Sequence, residues 1–176
     1  MINALTSPFS KTKTLSFAIL FTALSVLTPF LFHQIGGPTA GRIFLPMHIF
    51  VLAAGISLGW QVGLLVGGLV PLISYSFSGA PLLPVLPFIV IELAAYGFFA
   101  GFFRKSAKTN IWLSLIGAMI LGRVFLYLMI FFFSAKLSAA QYVSAAILQG
   151  LPGILLQFMA IPPLGLIARR FLKSEK

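Results

Sequence analysis

Long apolar runs, broken by short polar or basic connections, set the rhythm of this chain, and six of them have membrane-span character. The first run covers 14–32, with Pro29 near its exit. A polar, glycine-rich stretch follows, from His33 and Gln34 through Gly36, Gly37 and Gly41 to Arg42. The second span covers 44–58, with Pro46 in its first turn, where a missing N–H is harmless. Only Gly59, Trp60 and Gln61 separate it from the third, 62–77. Both are short for a hydrocarbon core about 30 Å thick at about 1.5 Å of rise per residue. A re-entrant pair is the alternative, but their joint length favours two short spans around a tight turn. The fourth span covers 83–103, the fifth 111–134 and the sixth 144–168. Pro152, Pro162 and Pro163 inside the sixth predict kinks or a break, tolerable where neighbours or water satisfy the freed carbonyls. The expected fold is an all-α integral membrane bundle, one domain over 1–176.

Composition agrees with a bilayer and changes the meaning of the charge. Hydrophobic residues make up 60% of the chain and Phe alone contributes 19, too many for a soluble core of this length. The net charge of +10 does not point to nucleic acid, because the basic residues lie in connections and tails rather than on one soluble face. With both termini on the inner side, that side holds nine: Lys11, Lys13, Arg104, Lys105, Lys108, Arg169, Arg170, Lys173 and Lys176. The outer side then holds two, Arg42 and Lys136. Positive residues concentrate on the cytoplasmic side of membrane proteins, so both termini are expected on the cytoplasmic side. Lys11 and Lys13 before an apolar run have a signal-peptide character, but Phe32-His33-Gln34 supplies no small-residue cleavage site, so an uncleaved first helix is expected.

Against this background two charges stand out. Glu92 and Arg123 lie deep inside apolar runs, where a charge costs at least about 2.5–3.5 kcal/mol to insert. Such residues face a bundle interior or a wet cavity. Counting along antiparallel spans puts Glu92, Arg123, Tyr127, Gln149 and His48 in the outer half to the midplane. Tyr96 sits one turn below Glu92 on its face, and the loops above carry Gln34 and Arg42. Each residue has a plainer role available. Glu92 and Arg123 can be a structural pin, His48 an interfacial histidine, Tyr96 and Tyr127 packing aromatics, and Gln149 and Gln157 interhelical hydrogen-bond partners. Trp60 suits an interfacial belt. The shared depth is what points to a ligand site.

Other chemistries lack their residues. The run from Gly63 to Gly68 is not followed by the Lys-Ser or Lys-Thr of a phosphate loop, so the chain has no usual means of hydrolysing ATP. No His pair or carboxylate cluster suggests a metal or cofactor. The absence of Cys removes thiolate ligands and nucleophiles. The other acid, Glu175, lies in the tail, so a second catalytic carboxylate is missing. Binding or transport is expected, not catalysis. On the first span Ala18, Thr22 and Ser25 make a strip of small side chains, open either to a partner helix or to packing within the bundle.

Two segments carry a family resemblance. Leu45-Pro46-Met47-His48-Ile49 within 44–60 and Glu92-Leu93-Ala94-Ala95-Tyr96-Gly97 within 87–97, with six spans and a basic loop after the fourth, resemble the S components of energy-coupling factor (ECF) vitamin transporters. The resemblance covers nearly the whole chain and is sharpest from Phe44 to Arg104. It implies a membrane-embedded, high-affinity binding subunit that takes its substrate near the outer face. It also implies a coupling transmembrane subunit and two cytoplasmic ATPases as partners. The family docks on its coupling subunit through an Ala-x-x-x-Ala pattern on the first helix, which here falls on Ala18 and Thr22, so the second alanine is replaced. A cobalamin precursor such as α-ribazole, pantothenate, pyridoxine and hydroxymethylpyrimidine are all open as substrates. A stand-alone secondary transporter with Glu92 as its proton carrier, or a membrane scaffold without a ligand, are the competing functions.

The charge count yields a direct test of topology. Reporter fusions at Lys108 and Lys176 should report the cytoplasmic side, and fusions at Arg42 and Lys136 the outer side. An outside signal at Lys176 would require an odd number of spans.

Overall fold

The computed structural model describes residues 11–134 and 138–173, and among them six helical segments are long and apolar enough to cross a membrane and no strand occurs. Helix α1 runs Lys11–Phe44 but is interrupted at Gly36 and Gly37. Gly37 adopts φ 65° and ψ −168°, a conformation essentially restricted to glycine. The polar stretch 33–42 is therefore not the loop expected from its composition. It is helix on either side of a two-glycine corner, and the second span starts at Thr39 and runs to Leu58. Within that span Leu45 takes the left-handed conformation (φ 46°, ψ 48°) immediately before α2, Pro46–Leu58. Left-handed backbone is uncommon for a residue with a branched side chain, and Pro46 disfavours the right-handed alternative for its predecessor.

Helix α3, Trp60–Ser78, follows after the single residue Gly59, and the second and third spans are each long and apolar enough to cross a membrane. Helix α4, Leu86–Gly101, begins three residues later than expected and continues into a π-type turn, Phe102–Ser106. Asn110 caps α5, Ile111–Phe133, its Oδ1 accepting from the Leu113 N–H at 2.8 Å. Helix α6, Ala139–Lys173, starts five residues early and is continuous through Pro152, Pro162 and Pro163, so of the kinks or break expected there the break does not occur. Its 35 residues extend about 52 Å at about 1.5 Å each, well beyond a core of about 30 Å. Lys136, one of the two expected outer charges, lies outside the described residues.

The bundle is built around α2, which is apolar on all sides and buried over most of its length. It packs against α1, α3, α4, α5 and α6. The outer faces of α1, α5 and α6 are exposed and apolar, for example at Leu15, Ile19, Phe131, Leu148 and Leu155, as lipid contact requires. Along the strip of small residues on α1, Ser25 is 0% exposed, while Ala18 and Thr22 are half-buried. Ala18 packs on the core, and the Thr22 hydroxyl donates to the Ala18 carbonyl at 2.8 Å.

Glycines set how closely the central helices approach. Gly55 of α2, Gly63 of α3 and Gly97 of α4 meet at one point, where a methyl group on any of them would overlap a neighbouring backbone. Gly67 lies against the Leu93 carbonyl and Gly101 against the backbone of Gly59 and Trp60. Backbone-to-backbone packing of this kind maximises van der Waals contact where lipid removes the usual hydrophobic driving force. At the end of the bundle marked by Gly59, Arg169 Nη2 donates to the Ile56 carbonyl at 3.1 Å. Lys105 lies against Gly59, and Arg104 Nη1 donates to the Thr109 carbonyl at 2.8 Å. The basic residues of two distant connections are thereby gathered at one end.

Gly97→Ala should destabilise the bundle by about 1–3 kcal/mol or more, because backbone cannot move aside as a flexible side chain can. Gly68, with nothing within 4 Å of an added Cβ, is the control. Gly68→Ala should be neutral or stabilising by up to about 1 kcal/mol through helix propensity. Thermal unfolding in detergent reads both, and equal behaviour of the two variants would remove the glycine junction as a determinant.

Candidate functional site

A cavity of about 460 Å³ opens among α2, α4, α5 and α6, within the usual range for small-molecule sites. Helix α2 contributes His48, with Leu45 just before it, and α4 contributes Tyr96. Helix α5 presents Met119, Ile120, Arg123, Val124 and Tyr127, which recur at three- and four-residue spacing on one face. Helix α6 presents Val143, Ile147, Ile154 and Gln157.

Arg123, one member of the charged pair, lines this cavity and holds Glu92 behind it. Arg123 Nη1 lies 2.7 Å from Glu92 Oε1, with the two side chains 12% and 5% exposed. Six residues past Leu86, Glu92 is about 9 Å along α4, and ten residues before Phe133, Arg123 is about 15 Å from that end of α5. Both are therefore well inside their helices, where neither charge is tolerable without the other. His48 Nε2 stands 3.9 Å from the same carboxylate oxygen, too far for a hydrogen bond. Its ring meets the Tyr96 ring edge-on at 5.2 Å between centroids. Tyr96 fits because position 122 is glycine, where a Cβ would overlap the tyrosine ring. Gly150 and Gly153 similarly admit Leu45 and the Phe44 carbonyl against α6, which positions the left-handed joint at the cavity wall.

Of the residues singled out from the sequence, Glu92, Arg123, Tyr127, His48 and Tyr96 come together here. Gln149, Gln34 and Arg42 do not, and each is exposed away from the cavity. Gln149 is two positions from Ile147, about 200° around a helix of 3.6 residues per turn, so it points outward. Gln157, three positions from Ile154, shares the cavity face and is 2% exposed. The face 143–147–150–154–157–161, readable as a helical repeat of apolar or small residues interrupted by one glutamine, is the signal that identifies Gln157. Gly122 carried no such signal, since its neighbour across the helix interface is visible only in the fold. Among the described residues no group of His, Asp or Glu could hold a metal ion.

A sequence model of the family described as "ECF transporter, substrate-specific component" matches residues 13–165. Comparisons with curated proteins and with solved structures return no match.

The ion pair has a clear mutational signature. Glu92→Gln or Arg123→Met alone leaves a buried charge without its partner and should destabilise by about 3–5 kcal/mol. The double variant should recover most of that loss, read as folded yield and melting temperature in detergent. Single variants as stable as the parent would mean that the pair is dispensable for the fold.

Proposed function

The chain belongs to the substrate-specific components of ECF transporters, and from that premise we propose that the cavity bounded by Glu92, Arg123, His48, Tyr96, Tyr127 and Gln157 is its substrate site. The protein is a substrate-binding subunit of a transporter and not an enzyme. In the proposed cycle it captures a vitamin or vitamin precursor from outside the cell and hands it to a coupling transmembrane subunit driven by two cytoplasmic ATPases. Both termini, and the basic end with Arg104, Lys105 and Arg169, face the cytoplasm of a prokaryotic cell. The distribution of Lys and Arg supports that orientation.

The observation that carries the proposal is an open cavity that combines an apolar wall with a few convergent polar groups at membrane depth. Aromatic rings at Tyr96 and Tyr127 offer faces for stacking. A secondary transporter would need Glu92 free to exchange a proton with a transport path, and here it is committed to an ion pair with the Arg123 guanidinium at 2.7 Å. A scaffold without a ligand leaves the cavity and its polar lining without a purpose.

Purified and reconstituted alone, the protein should bind substrate without concentrating it. Uphill uptake should appear only with the coupling subunit and ATPases present. Tyr127→Ala should weaken binding by about 1–3 kcal/mol, roughly ten- to a hundredfold in affinity, with little change in melting temperature. Proton-driven accumulation by the isolated protein, lost in Glu92→Gln, would support the secondary transporter instead.

A further inference from the structure

Two buried side chains at the cavity wall have hydrogen-bonding nitrogens without partners. Gln157, 2% exposed, leaves Nε2 unbonded, and His48, 8% exposed, leaves both ring nitrogens unbonded. Buried polar groups are nearly always satisfied, and those that are not call for an occupant. Glu92 Oε1 also lacks a partner in hydrogen-bond geometry, but its charge is matched by the Arg123 guanidinium. Arg123 and Glu92 are the charged groups at this cavity among the described residues, and they are bound to each other at 2.7 Å. The remainder of the wall, including Met119, Ile120, Val124, Ile147 and Ile154, is hydrocarbon or thioether.

We propose that this cavity selects a small molecule without net charge, one that accepts a hydrogen bond from Gln157 and offers a hydrogen-bonding ring or hydroxyl edge to His48. The inference rests on the cavity being the substrate site and adds the chemical class. A carboxylate or phosphate would find its only cation neutralised. To bind Arg123 it must displace Glu92, which would then be a buried charge without a partner. A fixed ammonium group drawn to Glu92 would strand Arg123 in the same way. Each route exchanges one ion pair for another and adds an unpaired charge at membrane depth, which a neutral ligand avoids. Gln157 and His48 are then specificity residues, because a buried amide or imidazole rejects a ligand that leaves it unbonded.

The test uses the purified full chain in detergent. Bound small molecules are extracted and identified by mass spectrometry, and binding is measured for matched pairs: pantothenol with pantothenate, pyridoxine with its 5′-phosphate, and hydroxymethylpyrimidine with its monophosphate. The extracted molecule should be uncharged at neutral pH, and any scaffold that binds should lose at least about a hundredfold in affinity when its charged group is present. Gln157→Met and His48→Phe, which keep much of the side-chain volume, should each lower affinity about tenfold or more at unchanged melting temperature. An extracted carboxylate or phosphate, or a charged member binding as tightly as its neutral partner, overturns the proposal. Unchanged affinity in both variants overturns the assignment of Gln157 and His48. If no molecule is extracted and no probe binds, the cavity itself fails as the substrate site, a result distinct from finding a charged ligand.

Discussion

A carboxylate and a guanidinium at hydrocarbon depth constrain this fold more than any apolar contact does. Apolar side chains can slide past one another in a bilayer at little penalty, because lipid solvates them as well as protein does. Glu92 and Arg123 cannot, since each is tolerable only opposite the other. Their 2.7 Å separation therefore fixes the rotation of α4 against α5 and the relative height of the two helices. Tyr96, one turn from Glu92, and Tyr127, one turn from Arg123, are carried to the same cavity by that one registration. Arg123 is paired with Glu92 and also lines the cavity, so pinning the helices and facing the cavity are not exclusive.

Close backbone packing supplies the other half of the geometry. Where Gly55, Gly63 and Gly97 meet, three helices approach as nearly as their main chains allow. Gly122 then makes room for the Tyr96 ring, and Gly150 and Gly153 let α6 settle on the joint at Phe44 and Leu45. The cavity exists because small residues draw the helices together on its flanks while larger ones hold them apart around it.

Much of this was legible beforehand, and the exceptions share a cause. Hydropathy alone marks six crossings, and Glu92 and Arg123 announce themselves as charges in apolar runs. The rotation of a helix about its axis is another matter. In a bilayer both the lipid face and the core face are apolar, so the amphipathic stripe that orients a soluble helix is missing. Gln149 and Gln157 are equally polar and both lie at membrane depth, yet only the second faces inward. Ala18, Thr22 and Ser25 look the same in sequence, yet the fold buries Ser25 fully and leaves Ala18 and Thr22 half-buried. The stretch 33–42 misled for a different reason. Its polarity suggested a loop, whereas two glycines suffice to turn the chain and leave its flanks helical.

The glycine junction has a mechanical consequence. Helices in contact along their main chains have no side-chain layer to shear, so α2, α3 and α4 form one stiff plate. Across the cavity, α5 rests on that plate through longer, deformable side chains such as the Phe99–Phe125 ring pair, and α5 and α6 meet each other through Trp112 and Phe158. Three prolines along α6 each remove a backbone hydrogen bond and soften it further. The site thus has an anvil on one side and a spring on the other.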